Sequence, residues 1–179
     1  ARAIWLMGKI DGRSAHYVNL ASQDKEPDIR IIALRLARQT GVSLTSVIEK
    51  LAFDKAAKAR RECAISLAHL RGPEKAKLWA SLAMNHEAGD RWYLEALGIG
   101  ASGDWDSCLR SWLEKVGDDW NSDSGKDIVW RSRAKVSAHL IAKIIKDPKT
   151  PENERDRYLR ALDFQSKAEK EAALLDILK

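Results

Sequence analysis

Residues 89–100 read GDRWYLEALGIG and set Asp90, Arg91, Trp92 and Tyr93 side by side. Tyr, Trp and Arg are the residues most enriched where protein interfaces concentrate their binding energy. The pattern recurs along the chain. Trp92 and Tyr93 stand four and three residues before Ala96, Trp130 and Arg131 four and three before Ala134, and Arg157 and Tyr158 four and three before Ala161. Together these stretches define a candidate aromatic-basic groove of Arg91, Trp92, Tyr93, Trp130, Arg131, Arg133, Tyr158 and Arg160. A scaffold reading explains the same spacing: the aromatics pack between helices and each arginine pairs with a neighbouring acid.

The other residues able to do chemistry form no reactive constellation. His16, His69, His86 and His139 have neither HExxH nor any other ligand spacing, so no metal is expected. GxSxG, P-loop and GxGxxG motifs are absent. The run LGIGASG at 97–103 follows a helical pattern rather than a strand, which argues against a phosphate cradle. Asp118, Asp119 and Asp123 lack the order and the closing Glu of a calcium loop. Cys63 and Cys108 lie far apart on apolar helical faces, without a CxxC or CxxCH pattern, and read as buried thiols. No cofactor is expected in this segment, which is read as non-enzymatic.

Composition narrows the class of partner. The chain has 179 residues, 45% hydrophobic and 32% charged, in keeping with one folded, helix-rich domain over 1–179. No apolar run is long enough to span a bilayer, so no membrane insertion is expected. The formal charge is +5. Residues 1–72 carry thirteen Lys or Arg against seven Asp or Glu, while the rest of the chain is close to balanced. The excess includes Arg35, Arg38, Lys50, Lys55, Lys58, Arg60 and Arg61. Such a patch is either a solvated helix face or an attractor for nucleic acid or an acidic partner.

The elements that position these residues repeat. RIIALRLA at 30–37, RECAISLA at 61–68, YLEALGIG at 93–100, RSRAKVSA at 131–138 and YLRALDFQ at 158–165 share one pattern, and RAIWLM at 2–7 looks like a shortened sixth copy. The aligned alanines are Ala3, Ala33, Ala64, Ala96, Ala134 and Ala161, separated by 30, 31, 32, 38 and 27 residues. Small residues let two helices approach to about 8–10 Å. Amphipathic helices lie between the copies. Leu44, Val47, Ile48, Leu51 and Ala52 mark one face; Leu78, Trp79, Leu82 and Ala83 a second; Trp105, Cys108, Leu109, Trp112, Leu113 and Val116 a third. Breaks fall at Gly41, Gly72-Pro73, Gly103-Asp104, 121–125 and 148–151. The spacing predicts one long helix over 127–147 and a last helix with Ala168, Ala172, Leu175 and Leu178 on its apolar side. No stretch alternates with period two. The expected fold is all-α, a right-handed α-solenoid of five to six helical hairpins.

Asp28-x-Arg30 and Asp90-Arg91, placed before the small residue of each copy, resemble HEAT repeats. An acid at a helix start complements the macrodipole. In α-solenoids the second helices tend to line the concave, partner-binding surface. The words RWYLEALGIGA, WDSCLRSWL, DIVWRSRA and RYLRALDFQ, in that order, are similar to the HEAT region of large exported bacterial proteins. Those proteins join a sugar-dehydrogenase-like β-propeller, helical repeats and a c-type cytochrome domain. The resemblance implies a piece of a longer, extracytoplasmic protein linked to dehydrogenase or electron-transfer function. This segment would then be a non-catalytic scaffold for docking a protein or a sister domain. A second resemblance is to HEAT-like DNA glycosylases that remove alkylated bases. Trp92, Trp130, Asp127 and Arg131 are its loose counterparts here, and it implies nucleic-acid binding or base release instead.

Overall fold

Glycine and proline cut the chain into short amphipathic segments, and the computed structural model, which describes residues 1–10 and 12–179, folds each into a helix. In order they are α1 (Arg2–Ile10), α2 (Ser14–Ser22), α3 (Pro27–Thr40), α4 (Leu44–Leu51), α5 (Ala57–Ser66), α6 (Pro73–Ala83), α7 (Arg91–Ala101), α8 (Trp105–Val116), α9 (Asp123–Arg131), α10 (Ser137–Lys146), α11 (Glu152–Ala161) and α12 (Lys167–Ile177). No strand occurs among the described residues. None of their helices is long and apolar enough to cross a membrane.

Local chemistry sets the helix ends. Pro27 opens α3, where its fixed φ suits the first turn and its missing N–H is not needed. Gly41 closes α3 at φ 74°, a left-handed cap that costs glycine little. Ser43, Asp90, Ser122 and Ser166 cap α4, α7, α9 and α12, each side chain accepting from a backbone N–H three residues on.

The expected faces of α4 and α6 are buried. On α8, Cys108, Leu109 and Trp112 are buried, and Trp105, Leu113 and Val116 are partly covered. One hydrophobic cluster runs from Tyr17 to Ala173. Helices pack on their second neighbours: α1 on α3, α3 on α5, α5 on α7, α7 on α9 and α9 on α11. A second succession runs from α2 to α4, α6 and α8, and α10 packs on α12. Ala33, Ala64, Ala96 and Ala161 are buried on their helices and Ala134 in the segment between α9 and α10, whereas Ala3 is exposed on α1. Gly100 brings α7 close against α5, where an added Cβ would collide with the Ala64 carbonyl oxygen.

Ion pairs join the same neighbours. Arg30 pairs with Asp54, Arg35 and Arg38 with Glu62, Lys58 with Asp28, Lys75 with Asp104, Arg131 with Glu95, Arg157 with Asp127 and Lys146 with Asp176. Lys75 is wholly buried, and its ammonium also donates to the Ser102 carbonyl at 3.0 Å. A buried cation held by a carboxylate and a carbonyl is stable only as long as both remain.

Three expectations need correction. The long helix over 127–147 is two helices. Ser132 breaks it: its hydroxyl accepts from Ala134 N–H and from the Ser137 hydroxyl, a local alternative to the helical ladder. Arg133 completes the stop by donating to the carbonyls of Arg131 and Ser132. On α12 the buried side is turned by one residue, to Ala173 with Leu174 and Ile177 partly covered. Ala168 and Ala172 are exposed, as are Leu175 at 63% and Leu178 at 82%. The repeat register also shifts. Asp24 and Asp54 each accept from the backbone N–H two residues on. Arg30 and Arg60 each donate to the carbonyls six and five residues back. Arg30 and Arg60 are therefore equivalent, which sets Ala33 opposite Cys63 rather than Ala64. Cys63 and Ala64 are adjacent and both fully buried, so a small-residue pattern alone fits either.

Candidate functional site

The predicted groove divides. Tyr93 and Tyr158 point into the core and present nothing to a partner. The Tyr93 hydroxyl donates to the Leu82 carbonyl at 2.9 Å, and burial pushes its pKa up to about 12. Arg131 lies across α7: an added Cβ on Gly98 would meet its guanidinium at 2.5 Å, and its Nε donates to Glu95. Arg133 is spent on the end of α9 and covers the Phe164 ring at 4.3 Å. Arg160 is exposed on α11, apart from the others. Arg91, Trp92 and Trp130 remain at two separate openings.

The first opening is a cavity of about 300 Å³ lined by Gly89, Arg91, Leu94, Asp127, Trp130 and Arg157. Asp127, on the inner face of α9, is nearly buried. Its Oδ2 accepts from the Gly89 N–H at 3.0 Å and lies 3.3 Å from His86 Nε2. Its Oδ1 accepts from Arg157 at 2.5 Å. Gly89 adopts φ 85°, which aims its N–H at the carboxylate and which a side chain would strain. Burial pushes the Asp127 carboxyl up, but the hydrogen bonds from His86, Gly89 and Arg157 outweigh it and hold the group well below the ordinary carboxylate range. Arg157 stacks on the Trp130 ring at 4.6 Å, and Trp130 Nε1 donates to the Arg157 carbonyl. His86 is wholly buried, stacks on Tyr93, and its Nδ1 has no partner among the described residues. This cluster ties α9, α11 and the loop before α7 into one unit. Neither His86 nor Arg157 is among the predicted site residues.

The second opening is larger, about 550 Å³, and crosses the outer faces of α3, α5 and α7. Ile31 and Arg35 come from α3, Lys58, Arg61, Glu62 and Ile65 from α5, and Trp92, Ala96 and Ile99 from α7. Positions three and four apart share a helix face, so each helix contributes successive turns of one side. Trp92 is 74% exposed at its edge. Glu62 is held by both Arg35 and Arg38, and Lys58 pairs with Asp28. Arg61 has no ionic or hydrogen-bonding partner among the described residues. The basic excess of the first third and the exposed tryptophan, separate signals in the sequence, meet here. Their nearness depends on α5 packing against α7, which spacing along the chain does not reveal.

Cys63 and Cys108 are free and buried. Burial pushes the Cys108 thiol up to about 12 and Cys63 higher still, so neither is an activated nucleophile. No group of three metal-ligating side chains occurs among the described residues. No protein-family model, no curated protein and no solved structure matches the chain.

Proposed function

We propose that the chain is a non-catalytic docking scaffold that receives a protein or a sister domain on the groove across α3, α5 and α7. One observation carries this reading: Trp92 stands exposed at an opening that it shares with Ile31, Ile65 and Ile99 and with the cations Arg35, Lys58 and Arg61. A large aromatic held open to solvent beside guanidinium groups has the make-up of an interface centre. We further propose that the hairpins stack as a right-handed, HEAT-like α-solenoid of five to six repeats. The successive packing of alternate helices supports this, as do ion pairs that link residues 24 to 36 apart. The equivalence of Arg30 and Arg60 adds a repeat of the same length. The exported propeller and cytochrome context implied by the resemblance would supply a sister domain as the occupant. A random peptide library selected on the wild-type chain and counter-selected on Trp92→Ala tests the docking surface. The expected result is enrichment of peptides that lose binding in the variant; enrichment that ignores Trp92 sinks the reading.

A second reading, nucleic-acid binding with release of an alkylated base, draws on the smaller cavity. There an ionised carboxylate, Asp127, adjoins Trp130 and two arginines. It requires that the chain liberate a damaged base from DNA and that Asp127→Asn abolish the release. The carboxylate is already held by three donors and almost closed off from solvent, which favours the scaffold role.

A further inference from the structure

We propose that the occupant of the groove is an acidic stretch of polypeptide carrying apolar side chains, with a carboxylate on Arg61 and an apolar side chain against Trp92. This rests on the docking reading and adds the chemistry of the partner.

Charge bookkeeping leads to the acid. Four cations, Arg35, Arg38, Lys58 and Arg61, border two carboxylates, Glu62 and Asp28. Glu62 takes two of the cations and Asp28 a third. Arg61, a partly buried residue, is left with no counter-charge among the described residues. A planar guanidinium matches a carboxylate with two parallel hydrogen bonds. The partly desolvated site makes that pair stronger than one in open water. Ile31, Ile65 and Ile99 line the same opening and offer no donor. They call instead for apolar side chains between the acids.

Geometry agrees with a short extended segment. Crossing three helices spaced about 8–10 Å apart covers about 16–20 Å. At about 3.3 Å per residue, five or six extended residues fill that span. Alternate side chains then face the isoleucines and the solvent-side cations. A nucleic-acid backbone fits less well. It presents a phosphate at every step and needs a run of free cations. Here it would meet one free guanidinium, the Glu62 carboxylate and three isoleucines.

The peptide selection described above separates the two ideas. Trp92-dependent peptides should be enriched in Asp and Glu over Lys and Arg, with an aromatic or aliphatic residue among the acids. A fluorescent peptide of the consensus sequence should bind about tenfold more weakly to Arg61→Gln, with a smaller loss for Arg61→Lys, which keeps the charge without the fork. Arg61→Glu should reverse the preference toward the same peptide with lysines in place of its acids. Circular dichroism and thermal melts establish that each variant is folded. Trp92-dependent peptides without acidic bias, or an Arg61→Gln variant that binds as the wild type, overturn the acidic partner and leave the docking surface standing. Tighter binding of a thymidine oligonucleotide, lost in Arg61→Gln, overturns it in favour of nucleic acid. Absence of any Trp92-dependent peptide removes the docking surface and this inference together.

Discussion

Asp127 gathers a ring nitrogen, a backbone N–H and a guanidinium from three segments, and each of those donors favours its charged form. A carboxyl whose folded pKa is depressed binds fewer protons folded than unfolded. Its contribution to stability is complete above the unfolded value of about 3.9 and is lost as the pH falls toward the lower folded value. Asp54, which burial pushes up and the Arg30 hydrogen bond and neighbouring charges pull down further, acts in the same sense. Asp127→Asn removes the charge that three donors converge on, and since Arg157 is itself largely solvated the loss should be about 1–3 kcal/mol near neutral pH. Thermal melts across pH 7 to 2.5 should show the gap between variant and wild type constant down to about pH 4 and narrowing below it. A gap that widens in acid contradicts this account.

The helices show what patterning conveys and what it omits. The apolar faces of α4, α6 and α8 were readable because a period near 3.6 persists over two or more turns. The break at Ser132 was not, since the apolar spacing of Trp130, Ala134 and Ala138 continues through it. There the ladder is ended by polar bonds from two serines and an arginine, which leave no trace in hydrophobicity. The face of α12 was misplaced because Ala172 to Leu175 offers four apolar residues in a row, compatible with either side. The division of the arginines was also out of reach, because whether an arginine faces solvent or a neighbouring acid is settled by the adjacent helix. Gly98 and Gly100, by contrast, have a packing role that a lone LGIG motif could not specify. At Gly100 the obstacle is a backbone carbonyl, which cannot swing aside. Gly100→Ala should therefore cost about 1–3 kcal/mol by forcing α5 and α7 apart. Ile99→Ala, at the exposed neighbouring position, should have little effect on the melting temperature. Equal stability of Gly100→Ala and the wild type would show that the two helices do not meet as described.

Across the whole molecule, burial is uneven. α1 buries only Gly8 and α12 only Ala173, whereas α6 and α7 each bury seven residues. Regions with few buried apolar contacts open most readily. Hydrogen exchange read by mass spectrometry should find α1 and α12 exchanging first and α6, α7 and α10, which also buries seven residues, last; uniform protection along the chain would contradict this gradient. The lysine and arginine ion pairs join residues no more than 36 apart. No such tether among the described residues spans the first helices and the last. Held at its two ends and pulled, a body fastened this way would lengthen in steps, its thinly buried end helices letting go first and the remainder staying intact behind each advancing front.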